Sequence, residues 1–375
     1  MEAFFVPIDA TITEGDFERE TLFHRIEKHT AKCFPDLGAA KIALFGICET
    51  RGTPIKRIDF GEIRKEFYRL HAGDWDISIV DLGDIPAGKT LGDTYFALAQ
   101  TVCHLIKNRT TPLLLGGAHH LTYANYRAYD ALEQSVNMAV IDKKLDLYKG
   151  DSPQNFIPKI IGEPPTRLFD FGLIGFQQYF VSTEAQRMMD ALHFEGVRLG
   201  KTRHAPLEAE PLIRNADVVS MDLSVASLHT APGCIGATTN GMDGTTLCQL
   251  SRFAGLSHKV SSFGIYDYAP HLDFRNATAQ LVAEMLWHFV EGFSLRRLEY
   301  PHIGREALVK YHVPIDGKAL IFYKNEETDR WWMQIDMPDK INPQHYLTPC
   351  SYGDYLEATR DNIPDKWWRY HQKLC

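Results

Sequence analysis

Short apolar runs alternate along the chain with stretches in which apolar residues recur every three to four positions. Short runs of this kind are typical of buried strands, and the spaced pattern is typical of helices with one buried face. The predicted strands are 41–46, 76–82, 112–115, 137–142, 169–175, 196–199, 216–222 and 259–266. The main predicted helices are 61–70, 91–106, 121–132 and 277–293. This alternation predicts an α/β fold with three layers, α/β/α, around a mostly parallel sheet.

The pattern changes at both ends of this region. Residues 1–39 are predicted to form a helical lead-in, 40–294 the α/β domain, and 295–375 a small Trp-rich C-terminal extension. Within the extension, residues 318–338 (KALIFYKNEETDRWWMQIDMP) contain two apolar runs around a polar turn, which predicts a β-hairpin. The tryptophans of the extension are expected to pack it onto the main domain, with an exposed docking surface as the alternative; they are Trp331, Trp332, Trp367 and Trp368.

Composition and charge exclude several classes of protein. The net charge of −8 disfavours nucleic acid as a partner, because phosphate binding needs a basic face. No apolar run approaches the length of a transmembrane helix, and the N-terminus lacks the pattern of a signal peptide. The seven cysteines are odd in number and widely spaced, which predicts reduced thiols. We therefore expect a cytoplasmic protein that binds neither nucleic acid nor membrane.

Four polar segments follow predicted strands. They are 116–120 (GGAHH), 142–146 (DKKLD), 220–227 (SMDLSVAS, followed by APG at 231–233) and 265–270 (IYDYAP). Each segment alone is a weak signal, because a carboxylate after a strand is more often a cap or turn residue than a ligand. In parallel sheets, however, ligands bind beyond the carboxyl ends of the strands, which is where all four segments lie.

Taken together and in order, these segments resemble the signatures of the arginase, agmatinase and formimidoylglutamase (ureohydrolase) family. The resemblance covers roughly residues 40–294, and the stretch 171–180 (FGLIGFQQYF) points to the formimidoylglutamase-like branch. It implies an arginase-like fold, a site for two Mn²⁺ ions, hydrolysis of guanidino or formimino C–N bonds, and a homo-oligomer. Hard divalent ions favour carboxylate oxygens with some imidazole, which these motifs contain.

Carried over position by position, the resemblance leaves the metal site incomplete. Four residues match ligands of the family: His119, Asp142, Asp146 and Asp222. Lys144 and Ser224 stand where the family has a ligand His and a ligand Asp, so these two positions are degenerate. Asp267 occupies the position of the family's substrate-facing Glu. The His that the arginase branch has after its second motif has no counterpart, since no His occurs between His120 and His193.

Counting charges gives Lys144 a possible role. Three carboxylates and one lysine leave a charge of −2, which one divalent ion would balance. We infer that the Lys144 ammonium replaces the second ion and contacts Asp142 or Asp222, because a second ion would be repelled by it. The alternative is that Lys144 points to solvent and the site is inactive. The expected cofactor is at most one divalent ion, Mn²⁺, or none.

Two functions follow from this site. The lost ligands favour a pseudoenzyme or binding protein on a ureohydrolase scaffold. The alternative is a one-metal hydrolase of a formimino or guanidino substrate such as formimidoylglutamate, with Lys144 and Asp267 as catalytic candidates. The corresponding partner is a small amidine or guanidino ligand, or else another protein.

Overall fold

The computed structural model describes residues 1–147, 152–299, 308–315, 318–336 and 345–374. The strands are β1 Ile26–Lys28, β2 Ile42–Cys48, β3 Ile79–Pro86, β4 Thr111–Gly116, β5 Val136–Ile141, β6 Leu168–Phe176, β7 Glu195–Arg198, β8 Val218–Asp222, β9 Ser262–Tyr266, β10 Leu308–Ile315, β11 Lys318–Asn325, β12 Trp331–Asp336 and β13 His345–Cys350. The helices are α1 Ala10–Thr13, α2 Gly61–Arg69, α3 Leu91–Lys107, α4 Leu121–Arg127, α5 Phe156–Gly162, α6 Thr183–Ala191, α7 Leu199–His204, α8 Glu210–Asn215, α9 Gly244–Leu256, α10 Ala277–Ser294, α11 Tyr352–Ala358 and α12 Asp365–Leu374.

The first nine strands form one sheet in the order β1-β3-β2-β4-β9-β8-β5-β6-β7. Every pairing in this sheet is parallel. The strands β4, β5, β8 and β9 are buried along their whole length, as expected for aliphatic runs covered on both faces. The predicted α/β architecture is therefore confirmed.

Helices cover the two faces of the sheet because successive side chains of a strand point in opposite directions. In β4, Leu113 and Leu115 pack in the layer that contains α2, α9 and α10. Leu114 faces the other layer, which contains α3, α4, α5 and α6. The apolar stripe of α10 is anchored by Phe289, whose ring stacks on Phe263 of β9 at 5.0 Å between centroids. These contacts complete the predicted three layers.

The lead-in at residues 1–39 is less helical than predicted. It contains α1 and short 3-10 turns at Glu2–Phe4 and Leu22–His24, but also β1, which pairs with β3 at the edge of the sheet. Three residues are too few to show the alternation by which a strand is recognised in a sequence. Among the described residues, none of the helices has both the length and the apolar content needed to cross a membrane.

The C-terminal extension forms a second, antiparallel sheet in the order β10-β11-β12-β13. The predicted hairpin is its central pair, β11 and β12, and α11 and α12 cover the sheet with a small core of their own. Trp331 and Trp332 are buried, and Arg214 of α8 lies over the Trp332 ring at 4.5 Å. Trp367 is partly buried in the extension's own core, whereas Trp368 is 46% exposed. The expectation that all four tryptophans pack against the main domain is therefore wrong for Trp368, and Trp367 contributes to the core of the extension.

Candidate metal site

The topology of the sheet brings the polar segments together. In the sheet order, β4, β9, β8 and β5 are neighbours, so their carboxyl ends lie side by side. His119 follows β4, Asp142 follows β5, and Asp222 is the last residue of β8. Gly116 lets the turn after β4 approach β9 closely, since a Cβ there would meet the Tyr266 ring at 2.4 Å. Asp267 follows β9 at the same edge.

The four residues that match metal ligands form one buried cluster. Each offers a ligand atom, and these atoms all lie within 4.8 Å of one another. The Nδ1 atom of His119 lies 2.8 Å from Asp146 Oδ2, 3.3 Å from Asp222 Oδ2 and 3.6 Å from Asp142 Oδ2. One imidazole and three carboxylates form a donor set that suits a hard divalent cation such as Mn²⁺.

The electrostatics of the cluster also fit a cation. Burial raises the pKa of Asp142 well above its usual value, and the neighbouring Asp222 raises it further. Burial lowers the pKa of His119, but hydrogen bonds to Asp146 and Asp222 outweigh it and raise the pKa well above its usual value. Without metal, therefore, bound protons compensate the clustered negative charge. Among the described residues, no group donates a hydrogen bond to the buried Oδ2 atom of Asp142, which leaves a lone-pair site for an ion.

A second set of contacts orients the His119 ring. Its Nε2 atom lies 2.9 Å from the Ser220 hydroxyl, which lies 2.6 Å from the Thr122 hydroxyl. Partners of this kind fix the tautomer and direction of a ligand imidazole. The motif comparison assigns no role to Ser220. In the sequence, Ser220 could have been noticed as a polar residue inside the apolar run of β8 (VVSMD). In the structure it is fully buried.

Lys144 points inward, with its side chain 27% exposed, but its partner differs from the predicted one. Its Nζ atom forms an ion pair with Asp146 Oδ1 at 3.3 Å, so the expected contact with Asp142 or Asp222 is wrong. Asp142 and Asp146 both lie two residues from Lys144 in the sequence, so the folded loop alone determines which carboxylate the ammonium reaches. Its charge still lowers the pKa values of Asp142 and Asp222 from a longer distance.

Ser224, at the other degenerate position, also borders the cluster. Its hydroxyl lies 3.4 Å from Asp142 Oδ1, and its backbone N–H donates to Asp222 Oδ1 at 2.6 Å. The side chain therefore serves as a hydrogen-bond donor beside two carboxylates. An aspartate here would add a fourth carboxylate to the three of the cluster.

The side chain of Asp267 points toward the loop after β4 that carries His119. Its Oδ1 atom accepts the backbone N–H of His119 at 3.1 Å, and its φ of +67° is unusual for a residue other than glycine. Burial raises the pKa of Asp267 to about 8, and Asp222 contributes to the shift. The carboxyl group borders the metal cluster, and its role toward a substrate stays a prediction.

The arginase family profile matches residues 41–291. This chain belongs to the arginase family. A formimidoylglutamase of Halalkalibacterium halodurans is 25% identical over 244 residues, which cover 59% of this chain and 74% of the relative. A formimidoylglutamase of Bacillus subtilis is 24% identical over 251 residues, which cover 61% of this chain and 77% of the relative.

Solved structures of arginase-family proteins share the fold. The Bacillus subtilis formimidoylglutamase superposes with a TM-score of 0.63 at 18% identity, covering 71% of this chain and 94% of that one. A Trypanosoma cruzi formiminoglutamase solved with Mn²⁺ gives 0.61 at 18% identity, covering 71% and 100%. The resemblance to a formimidoylglutamase-like arginase-family protein is thus confirmed. The roles of the individual site residues remain predictions.

Proposed function

We propose that this protein is a metal-dependent hydrolase of a linear amidine, with formimidoylglutamate as the first candidate substrate, and that it uses one Mn²⁺ ion. The observation that carries the proposal is the convergence of four ligand atoms within 4.8 Å in a buried cluster. The relatives support it, because those named above are formimidoylglutamases, and one of them was solved with Mn²⁺.

Each side chain of the site has a separate task in this proposal. The ion would be held by His119, Asp142, Asp146 and Asp222, and when bound it would supply Lewis-acid activation of water. Ser220 holds the His119 ring in place. The Lys144 ammonium, fixed on Asp146, supplies positive charge where the family has its second ion, and it would stabilise negative charge that develops on the substrate.

The second candidate is a binding protein without turnover, which the replacements at Lys144 and Ser224 favour. Loss of direct metal ligands usually costs much of the original activity. Against this reading, the remaining four ligands are all buried and converge on one point. We propose a small amidine or guanidino ligand in either case. A homo-oligomer is proposed from the family resemblance and is testable by light scattering.

The test is turnover by the full-length protein with added Mn²⁺. Ammonia or formamide release from formimidoylglutamate is expected to depend on Mn²⁺ and to disappear in Asp142→Asn. The matched control is Asp336→Asn, since this aspartate lies in the extension with its side chain 69% exposed, and activity should be retained. We expect no turnover of arginine or agmatine, because the arginase-branch histidine is missing between His120 and His193.

Two results would count against the hydrolase. If the wild-type protein binds Mn²⁺ but releases no product from formimidoylglutamate or from other linear formimino and guanidino compounds, the result supports the binding protein. If turnover survives in Asp142→Asn, the reaction occurs outside the cluster described here. Elemental analysis of both proteins separates a loss of metal from a loss of chemistry.

A further inference from the structure

A cavity of about 690 Å³ lies between the main domain and the C-terminal extension. One wall is formed by α8, α9 and the residues that follow α10, and the other by residues 327–331 and 350–352. Its volume falls in the range of small-molecule sites, which occur preferentially where two structural units meet. Neither the family resemblance nor the metal site accounts for this cavity.

Five arginines line the cavity, and four of them are neutralised by a carboxylate. The ion pairs are Arg214–Glu210 at 2.9 Å, Arg330–Glu299 at 2.8 Å, Arg252–Glu291 at 2.7 Å and Arg297–Glu327 at 2.6 Å. These pairs compensate the charge of the four guanidinium groups, although the Nη1 atom of Arg214 has no hydrogen-bond partner among the described residues. The fifth arginine, Arg296, differs from the others.

Arg296 has no carboxylate within 4.0 Å in the part of the chain that the structure describes. Its Nε and Nη2 atoms donate to the carbonyl oxygens of Gly255 at 2.6 Å and Val260 at 2.9 Å, and its guanidinium lies 4.0 Å from the centre of the Phe293 ring. A guanidinium has five N–H donors, so three remain. Burial lowers the pKa of Arg296 to about 9, in agreement with the lack of an acidic partner among the described residues.

The rest of the lining is suited to an apolar group. Phe253, Leu256, Trp331 and Tyr352 border the cavity together with Arg296. We propose that the cavity binds a small organic monocarboxylate, whose carboxylate pairs with Arg296 and whose apolar or aromatic body lies against Phe253 and Trp331. A single charge is expected because, among the described residues of the lining, Arg296 is the one guanidinium without an acidic partner.

This site is separate from the metal cluster. The cavity borders α8 and the Val260 region, which precede β8 and β9, whereas Asp222 and Asp267 lie at the other ends of these strands. A five-residue strand spans about 17 Å, so a ligand in the cavity cannot reach the cluster. The inference therefore does not depend on the proposed hydrolase activity.

The test is calorimetric titration of the full-length protein with benzoate and, separately, with its neutral isostere benzamide. Benzoate should bind saturably, and benzamide should bind at least about tenfold more weakly, because a charge-assisted hydrogen bond is lost. This comparison needs no variant. Arg296→Met should weaken benzoate binding by about tenfold or more. The matched control Arg69→Met, at an exposed arginine of α2 that pairs with Glu66 outside the cavity lining, should change it by less than about twofold.

A control variant tests whether benzoate binds at the metal cluster instead of in the cavity. Asp142→Asn should leave benzoate binding unchanged, and loss of binding in this variant would place the ligand at the cluster and overturn the proposal. Equal affinity for benzoate and benzamide, undiminished benzoate binding by folded Arg296→Met, or the absence of saturable benzoate binding would each overturn it as well.

Discussion

Replacing Lys144 by methionine tests whether its ammonium substitutes for a metal ion. The substitution keeps the length of the side chain and removes one positive charge. The ammonium lies 3.3 Å from Asp146 Oδ1, which corresponds to a gross attraction of about 5 kcal/mol at an effective dielectric constant of about 20. Because the Lys144 side chain is 27% exposed, water screens part of this attraction. We expect a net loss of about 1–3 kcal/mol in the free energy of unfolding of the metal-free protein.

The same substitution should act in the opposite direction on metal binding. In the state that binds metal, with Asp142, Asp146 and Asp222 ionised and His119 neutral, removing the lysine makes the charge of the cluster more negative, from −2 to −3. Mn²⁺ should then bind at least about tenfold more tightly, which corresponds to about 1.4 kcal/mol. Turnover of formimidoylglutamate should fall, because the charge that would stabilise the transition state is lost.

The assays are urea unfolding with and without Mn²⁺, Mn²⁺ titration and steady-state turnover. Lys144→Arg is the matched control, since it keeps the charge and should bind Mn²⁺ like the wild-type protein. An unchanged Mn²⁺ affinity together with an unchanged stability of Lys144→Met would refute the reasoning and would support a lysine that has no influence on the site.

Three further results are expected. The double variant Lys144→His with Ser224→Asp should gain a second Mn²⁺ per chain by elemental analysis while each single variant gains little, and no gain in the double variant would contradict the transfer of ligand roles. In the metal-free protein, folding raises the pKa of Asp267 from 3.8 to about 8, so the folded state holds a proton that the unfolded chain releases. The free energy of unfolding, measured with urea, should therefore fall as pH rises through this range, by at most about 1.4 kcal/mol per pH unit. Asp267→Asn should make this dependence on pH weaker. Trp332→Ala should lower the free energy of unfolding by about 3–5 kcal/mol because this residue is 3% exposed. Trp368→Ala, at a 46% exposed position, should lower it by less than about 1 kcal/mol in the same assay.

The positions of the metal ligands could be predicted from local sequence patterns, but their convergence on one site could not. Each predicted ligand follows an apolar run that could be recognised as a strand, and the family resemblance selected His119 and the three aspartates. Their convergence within 4.8 Å depends on the order β4-β9-β8-β5 in the sheet. Strand order is set by packing between residues far apart in sequence, so the apolar pattern by itself does not predict it.

The contacts of single side chains were harder to predict than their locations. Lys144 is expected near the cluster and lies there, but it pairs with Asp146, although Asp142 is equally close to it in the sequence. The role of Ser220 was missed, because a hydroxyl in a strand has many potential partners until the facing residue is known. Only the folded structure shows that His119 is its neighbour.

By itself, the sequence determined the α/β class, the hairpin of the extension and the residue types available at the strand ends, since periodicity and turn chemistry act over short distances along the chain. The tertiary structure decided which acids share a site and that Arg296 faces a cavity without an acidic partner among the described residues. Both depend on how elements separated in sequence pack together, because distance in space, and not along the chain, governs Coulomb interactions and desolvation.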